Sequence, residues 1–267
     1  MASGIVRLLG GIRDLLYPPR CASCGELLRW RVPSAEKLAK EALCADCLLQ
    51  WEEETETRCG ICSRPVRCCV CMTELLDRAK CRALFKLAYY VPHSDTCVQN
   101  RLVYHMKRNN DSKTPGFLAA QAVLSISRVL DAEGILAKDC VITYVPRSRH
   151  AYLTHGTDQA KALARQLGDV LEIGTESLIG RNTKSNKAQK TLTPAEREKN
   201  AREAFFPLKE KDACSGKTVI LVDDVVTTGA SMARCVRLLR GMGAMRVYCF
   251  CVTSDRVNRD KGVRVDL

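Results

Sequence analysis

Apolar positions divide this chain into helical, buried-strand and irregular stretches. Residues 4–16 place Ile5, Leu8, Leu9, Ile12, Leu15 and Leu16 at helical spacing, with Arg7, Arg13 and Asp14 between them. Pro18 and Pro19 end that run, so an amphipathic helix is expected over 1–19. It packs on its own protein or lies on a membrane surface, and only two cations favour the second. Beyond residue 85 helices and strands alternate. Residues 117–130 carry Phe117, Ala120, Val123, Leu124 and Leu130 on one side, and 158–167 are rich in helix formers up to Gly168. Residues 140–145, 218–222 and 246–252 are short apolar runs, and 230–240 form a helix ending at Gly241 and Gly243. Continuously apolar strands separated by helices predict an α/β fold, a parallel sheet with helices on both faces. Residues 181–200 are polar and break the rhythm, as a mobile active-site loop does.

One string carries chemistry on its face. Val219-Ile-Leu-Val-Asp-Asp-Val-Val-Thr-Thr-Gly-Ala-Ser231 reads as a buried strand, two carboxylates, a small-residue turn and a helix. In open α/β sheets ligands bind at the carboxyl ends of strands. Thr227, Thr228, Gly229, Ala230 and Ser231 offer backbone N–H groups and hydroxyls at a helix N-terminus, a place that favours a phosphate. Asp223 and Asp224 would repel that phosphate, but they suit the hydroxyls of a ribose, which donate where carboxylates accept. The string therefore predicts a ribose-phosphate clamp; the plain alternative is an acidic strand end that caps a helix.

The same string closely resembles the phosphoribosyl-pyrophosphate signature of type I phosphoribosyltransferases. Tyr144-Val-Pro146, His155-Gly-Thr-Asp-Gln159, Leu163-Ala164 and the series Arg181, Gln189, Leu192, Arg197, Asn200, Ala204 and Phe205 resemble the ComF family, as do Leu102, Lys107 and the N-terminal cysteine pairs. The resemblance implies a type I phosphoribosyltransferase-like domain over 82–267 that binds phosphoribosyl pyrophosphate with Mg²⁺. It implies ligand-binding roles for Arg147, Arg149, Arg181 and Lys107, beside catalytic Asp223 and Asp224. Arg147 and Arg149 would cradle the pyrophosphate, and Arg181, Lys184 and Lys187 would belong to a lid; each is also an ordinary surface cation on its own. His155 stands where the family usually has Arg, and it faces the pyrophosphate or merely the solvent.

Sixteen cysteines change the picture of the N-terminal part, because nine of them fall between Cys21 and Cys71. Cys21-x2-Cys24 and Cys44-x2-Cys47 are 19 residues apart, a zinc-ribbon spacing. Cys59-x2-Cys62 and Cys68-x2-Cys71 follow, with Cys69 either a spare thiol or an alternative ligand. The expectation is a zinc-binding module over 20–75 with two tetracysteine sites; a cross-braced pairing and redox use of the pairs are the alternatives. Trp30 and Trp51 are candidates for its small core. The seven remaining cysteines sit mainly in apolar contexts, as core residues.

Composition adds an anionic partner. The net charge is +12, from 42 basic and 30 acidic residues. That charge and the zinc module support a second function, the handling of single-stranded DNA, and the ComF resemblance extends it to DNA uptake in competence with a helicase partner. Aromatics are 5% of residues, so phosphate-backbone attraction is the expected DNA contact, not base stacking. No apolar run approaches the ~20 residues that span a bilayer. With free thiols and no secretory pattern, the expected setting is the cytoplasm, in solution or peripherally at the inner membrane face.

Overall fold

The computed structural model describes residues 18–28, 42–109, 112–148, 152–153, 156, 158–182, 204–256 and 262–265. The expected amphipathic helix lies outside these residues apart from Pro18 and Pro19, as do Trp30, Arg149, His155, Lys184, Lys187 and the rest of the polar stretch over 183–203. No helix among the described residues is long and apolar enough to cross a membrane.

Four strands form the central sheet: β2 (Leu84–Tyr89), β3 (Cys140–Tyr144), β6 (Thr218–Val226) and β7 (Arg246–Ser254). Their order is β2-β7-β6-β3 and every pairing is parallel. The central strand β6 is apolar at successive positions because each face is covered. Ile220 and Val222 join a core with α3 (Val98–Arg108), α4 (Lys113–Ala132) and α5 (Gln159–Leu171). Val219 and Leu221 join a second core with α6 (Ala230–Gly241). The chain is thus an α/β structure with helices on both faces of a parallel sheet.

Two expected boundaries move. β6 continues to Val226, so Asp223 and Asp224 lie within the strand and not after it. α5 runs through Gly168 to Leu171 and ends at Glu172 in the left-handed conformation (φ 57°). Gly168 is not a terminator but a point of close approach: a Cβ there would meet Thr175 Oγ1 at 2.5 Å and the Ile173 carbonyl at 2.7 Å. The polar stretch opens from an antiparallel pair, β4 (Ile179–Arg181) and β5 (Phe205–Pro207), in which Arg181 faces Phe205.

The cysteine-rich segment packs directly on this fold. Its helix α1 (Ala45–Glu56) buries Trp51 edge-on against Phe117 of α4, with ring centroids 5.7 Å apart. Next come β1 (Met72–Thr73) and the short helix α2 (Glu74–Arg78), and β1 pairs antiparallel with β8 (Gly262–Val263) near the other end of the chain.

Candidate active site and metal centres

The carboxyl ends of β3 and β6 border a cavity of about 900 Å³. Asp223, Asp224 and residues 227–231 line it, together with Lys107 from α3, Arg147 after β3 and Arg181 from β4. Of the ligand residues expected from sequence, Arg149 alone lies outside the described residues.

The carboxylates are fixed by their own strand and by three neighbours. Asp223 Oδ1 accepts from the Asp224 N–H at 2.9 Å, and Asp224 Oδ1 from the Val225 N–H at 2.8 Å. Asp224 Oδ2 lies 3.2 Å from Lys107 Nζ and accepts from Gln159 Nε2 at 3.1 Å. Gln159 Oε1 in turn accepts from an Arg147 guanidinium N–H at 2.6 Å. Burial, reinforced by the Asp224 charge beside it, pushes Asp223 well above the usual carboxylate range. Burial works the same way on Asp224, but the Lys107 ammonium and the Gln159 amide outweigh it and hold Asp224 low. The pair is therefore pushed apart, Asp224 toward its charged form and Asp223 toward its protonated one.

The turn after β6 is shaped by Gly229, whose φ of +80° starts α6. A side chain there would also collide: a Cβ would stand 2.8 Å from Thr73 Oγ1 and 3.4 Å from Leu76 Cγ. The turn and the first residues of α6 thus bring N–H groups and the Thr227, Thr228 and Ser231 hydroxyls to the cavity wall. Arg181 stacks over the Phe205 ring at 5.1 Å; burial lowers its pKa while Asp223 acts in the opposite direction.

Other cavity residues escaped sequence reasoning. Gln159 stands inside the family-like motif and was readable there as a polar residue opening a helix. Asp158 caps α5 by accepting from the Lys161 N–H at 3.1 Å, and it also accepts from the Arg147 N–H at 3.3 Å. Tyr90 and Tyr104 share a hydroxyl hydrogen bond of 3.2 Å, which together with burial pushes Tyr90 up to about 12. Tyr90 and Tyr104 lie on different elements and belong to no motif, so nothing in the sequence announces the pair.

The cysteine pairs assemble sequentially, not cross-braced. Cys21, Cys24, Cys44 and Cys47 form one group, and Cys59, Cys62, Cys69 and Cys71 the other, each with its sulfurs within 4.8 Å of one another. Cys24 and Cys44 sulfurs are 3.6 Å apart, close to the roughly 3.8 Å that a tetrahedron of ~2.3 Å zinc–sulfur bonds requires. Both groups could hold a metal, and four thiols suit zinc. Their first knuckles repeat one design: Gly25 N–H bonds to Cys21 O and Ser63 N–H to Cys59 O, both at 2.9 Å, with Gly25 and Ser63 left-handed. Arg20 and Arg58 each reach the carbonyl five residues on, at 3.0 and 2.9 Å. Burial opposes ionisation of Cys21, but N–H groups of Cys24, Cys44 and Ser23 hold its pKa down to about 7, as a metal ligand needs.

Cys68, the ligand expected from CxxC spacing, is exposed, and Cys69 takes its place at 1% exposure. The reason is a single 3₁₀ turn over Val66–Cys68, closed by Cys68 N–H on Pro65 O and Cys69 N–H on Val66 O. It turns Cys68 to solvent and delivers Cys69, in extended conformation, to the group.

Residues 153–265 match the family model described as the phosphoribosyl transferase domain. Over 154 residues the chain is 26% identical to the DNA utilization protein YhgH of Escherichia coli K12, which covers 57% of this chain and 66% of that protein. It is 24% identical over 228 residues to competence protein F of Haemophilus influenzae, covering 79% of this chain and 89% of that one. These matches support a ComF-family, phosphoribosyltransferase-like protein. The purine phosphoribosyltransferase of Pyrococcus horikoshii aligns over 57% of this chain and 93% of its own, at 14% identity and a TM-score of 0.31. The matched domain contains Asp158, Gln159, Arg181, the acid pair and the 227–231 turn, while Lys107, Tyr104 and both cysteine groups precede it.

Two measurements follow from this geometry. Purified without chelator, the chain should carry about two zinc ions; Cys68→Ser should keep both, and Cys69→Ser should fall to about one. Equal losses in the two variants, read by elemental analysis, would contradict the grouping. The second measurement is of pH dependence. A raised folded-state pKa means that Asp223 stabilises the fold fully below its unfolded value of ~3.9 and that this stability is lost as pH rises through the folded value. Asp223→Asn, which cannot ionise, should therefore melt above wild type at pH 8, with the gap closing toward pH 4. A gap independent of pH would reject a protonated Asp223.

Proposed function

We propose that this cavity binds phosphoribosyl pyrophosphate with Mg²⁺ and transfers the phosphoribosyl group to an acceptor. The observation that carries the reading is the placement of the acid pair, the 227–231 turn and the cations Arg147 and Arg181 around one cavity. Asp223 and Asp224 accept from the ribose hydroxyls. Residues 227–231 bind the 5-phosphate through N–H groups and hydroxyls at the start of α6. Arg147 and Arg181, with Arg149 added from the sequence, face the diphosphate and offset the negative charge that grows as it leaves. Mg²⁺ suits this donor set, because it keeps waters and binds through diphosphate and hydroxyl oxygens rather than in an all-protein cage. Lys107 keeps Asp224 ionised and so ready to accept.

The two tetracysteine groups are read as structural zinc sites, and the domain division as a zinc module over 20–75 joined to a transferase-like domain over 82–267. The sixteen free thiols suit a reducing, cytoplasmic setting.

Calorimetry with phosphoribosyl pyrophosphate and Mg²⁺ tests the main reading. Asp223→Ala/Asp224→Ala should weaken binding at least ~10-fold, since each charge-assisted hydrogen bond contributes about 1.5–3 kcal/mol. Unchanged affinity in a variant that still folds would reduce the motif to a helix cap.

A second reading rests on the names of the relatives, a DNA utilization protein and a competence protein, and on the net charge of +12. In it the chain also binds single-stranded DNA through its phosphates, in competence and beside a helicase. Such binding should weaken steeply with salt, with a log–log slope of about −0.7 per phosphate contacted, while sugar-phosphate binding should survive moderate salt. Absence of DNA binding at low salt would remove this reading and leave the first intact.

A further inference from the structure

Strand β2 carries a lysine where a core strand should carry an apolar residue. Lys86 is 5% exposed and lies between buried Phe85 and Leu87. Its ammonium donates to Cys71 O at 2.7 Å, Cys69 O at 3.3 Å and Leu84 O at 3.4 Å, so its three protons meet three main-chain carbonyls. Among the described residues no carboxylate is paired with it. A buried ammonium without a counter-anion is costly, and core strands elsewhere in this sheet avoid one.

The second tetracysteine group resolves the discrepancy. Four thiolates around one Zn²⁺ leave a net charge of −2. Two of the three carbonyls that hold Lys86 belong to cysteines of this group, and the buried Tyr89 phenol, farther along β2, lies beside a third, Cys59. One edge strand thus holds two of the four cysteines by hydrogen bonds and packs beside a third. The Lys86 ammonium, by bonding Cys69 O and Cys71 O, holds the segment that the 3₁₀ turn delivers to the group.

We propose that Lys86 is the positioning residue of the second tetracysteine group, supplying its counter-charge and holding the Cys69–Cys71 segment, so that metal retention there depends on strand β2. The proposal rests on the zinc reading above. It also ties the metal to the active cavity through the sheet. Lys86 is in register with Cys251 of β7, and Cys251 with Asp223 of β6, while Tyr90 directly follows Tyr89. The outer shell of a metal site commonly sets its affinity by 10–100-fold, and here that shell is a sheet residue distant in sequence from the ligands.

Cobalt(II) titration of the full chain, followed by thiolate charge-transfer absorption, tests it. Wild type should bind about two equivalents tightly; Lys86→Met should bind one as before and the other at least ~10-fold more weakly. Two undiminished equivalents in Lys86→Met overturn the proposal and leave the zinc reading standing. A wild type without a tetrathiolate spectrum defeats the zinc reading itself. If Lys86→Met does not fold, the wild type decides. Lysine acylation mapped by mass spectrometry should spare Lys86 in the zinc-loaded chain and label it after chelation, in step with alkylation of Cys59, Cys62, Cys69 and Cys71. A Lys86 that stays protected once those cysteines react overturns the proposal.

Discussion

Two neighbouring carboxylates inside the central strand of a sheet impose the main constraint on this molecule. Like charges that close, in a place with little water, cannot both ionise without help. The chain answers by treating the two unequally. Asp224 receives the Lys107 ammonium and the Gln159 amide, whereas Asp223 receives burial and the field of its neighbour. Elements far apart in sequence meet at this point: α3 brings Lys107, α5 brings Gln159, and the segment after β3 brings Arg147 to hold Gln159. The cavity exists because these elements converge on the carboxyl end of β6.

The same economy appears in the turn that follows. Gly229 is demanded twice, by its left-handed backbone and by the approach of Thr73 and Leu76. Those two residues come from the segment that joins the cysteine-rich part to the sheet. The 227–231 turn is therefore braced from behind by the junction, and the strand pair β1–β8 fixes that junction to residues near the far end of the chain.

The cysteine-rich part is accordingly no loose appendage. Trp51 packs on Phe117, a helix that also covers the sheet, and Lys86 and Tyr89 reach from the sheet to the second cysteine group. A segment of this size buries little apolar surface by itself, and here it shares the core of the larger fold instead.

How much of this was legible depends on whether a signal was local. The continuously apolar run 218–222 had to be a strand covered on both faces, and Asp-Asp followed by Thr-Thr-Gly had to sit at its carboxyl end, because strand burial and helix capping are set by neighbours in the chain. CxxC spacing likewise specified knuckles. Where a second contact decides, the sequence misled or was silent. Gly168 reads as a helix end, yet Thr175 and Ile173 make it a packing point. Cys68 fits the spacing, yet one 3₁₀ turn substitutes Cys69. Lys86 interrupts an apolar run and hides β2, and only the cysteine carbonyls around it explain why a charge is tolerated there. Tyr90 and Tyr104 become neighbours only when α3 docks beside β2. The sequence by itself determined the strand, the acid pair and the thiol knuckles, because these follow from interactions over a few residues. Tertiary structure alone decided which carboxylate has its charged form favoured, which cysteines group and which distant side chains share the cavity, because each is set by partners that the chain brings together only on folding.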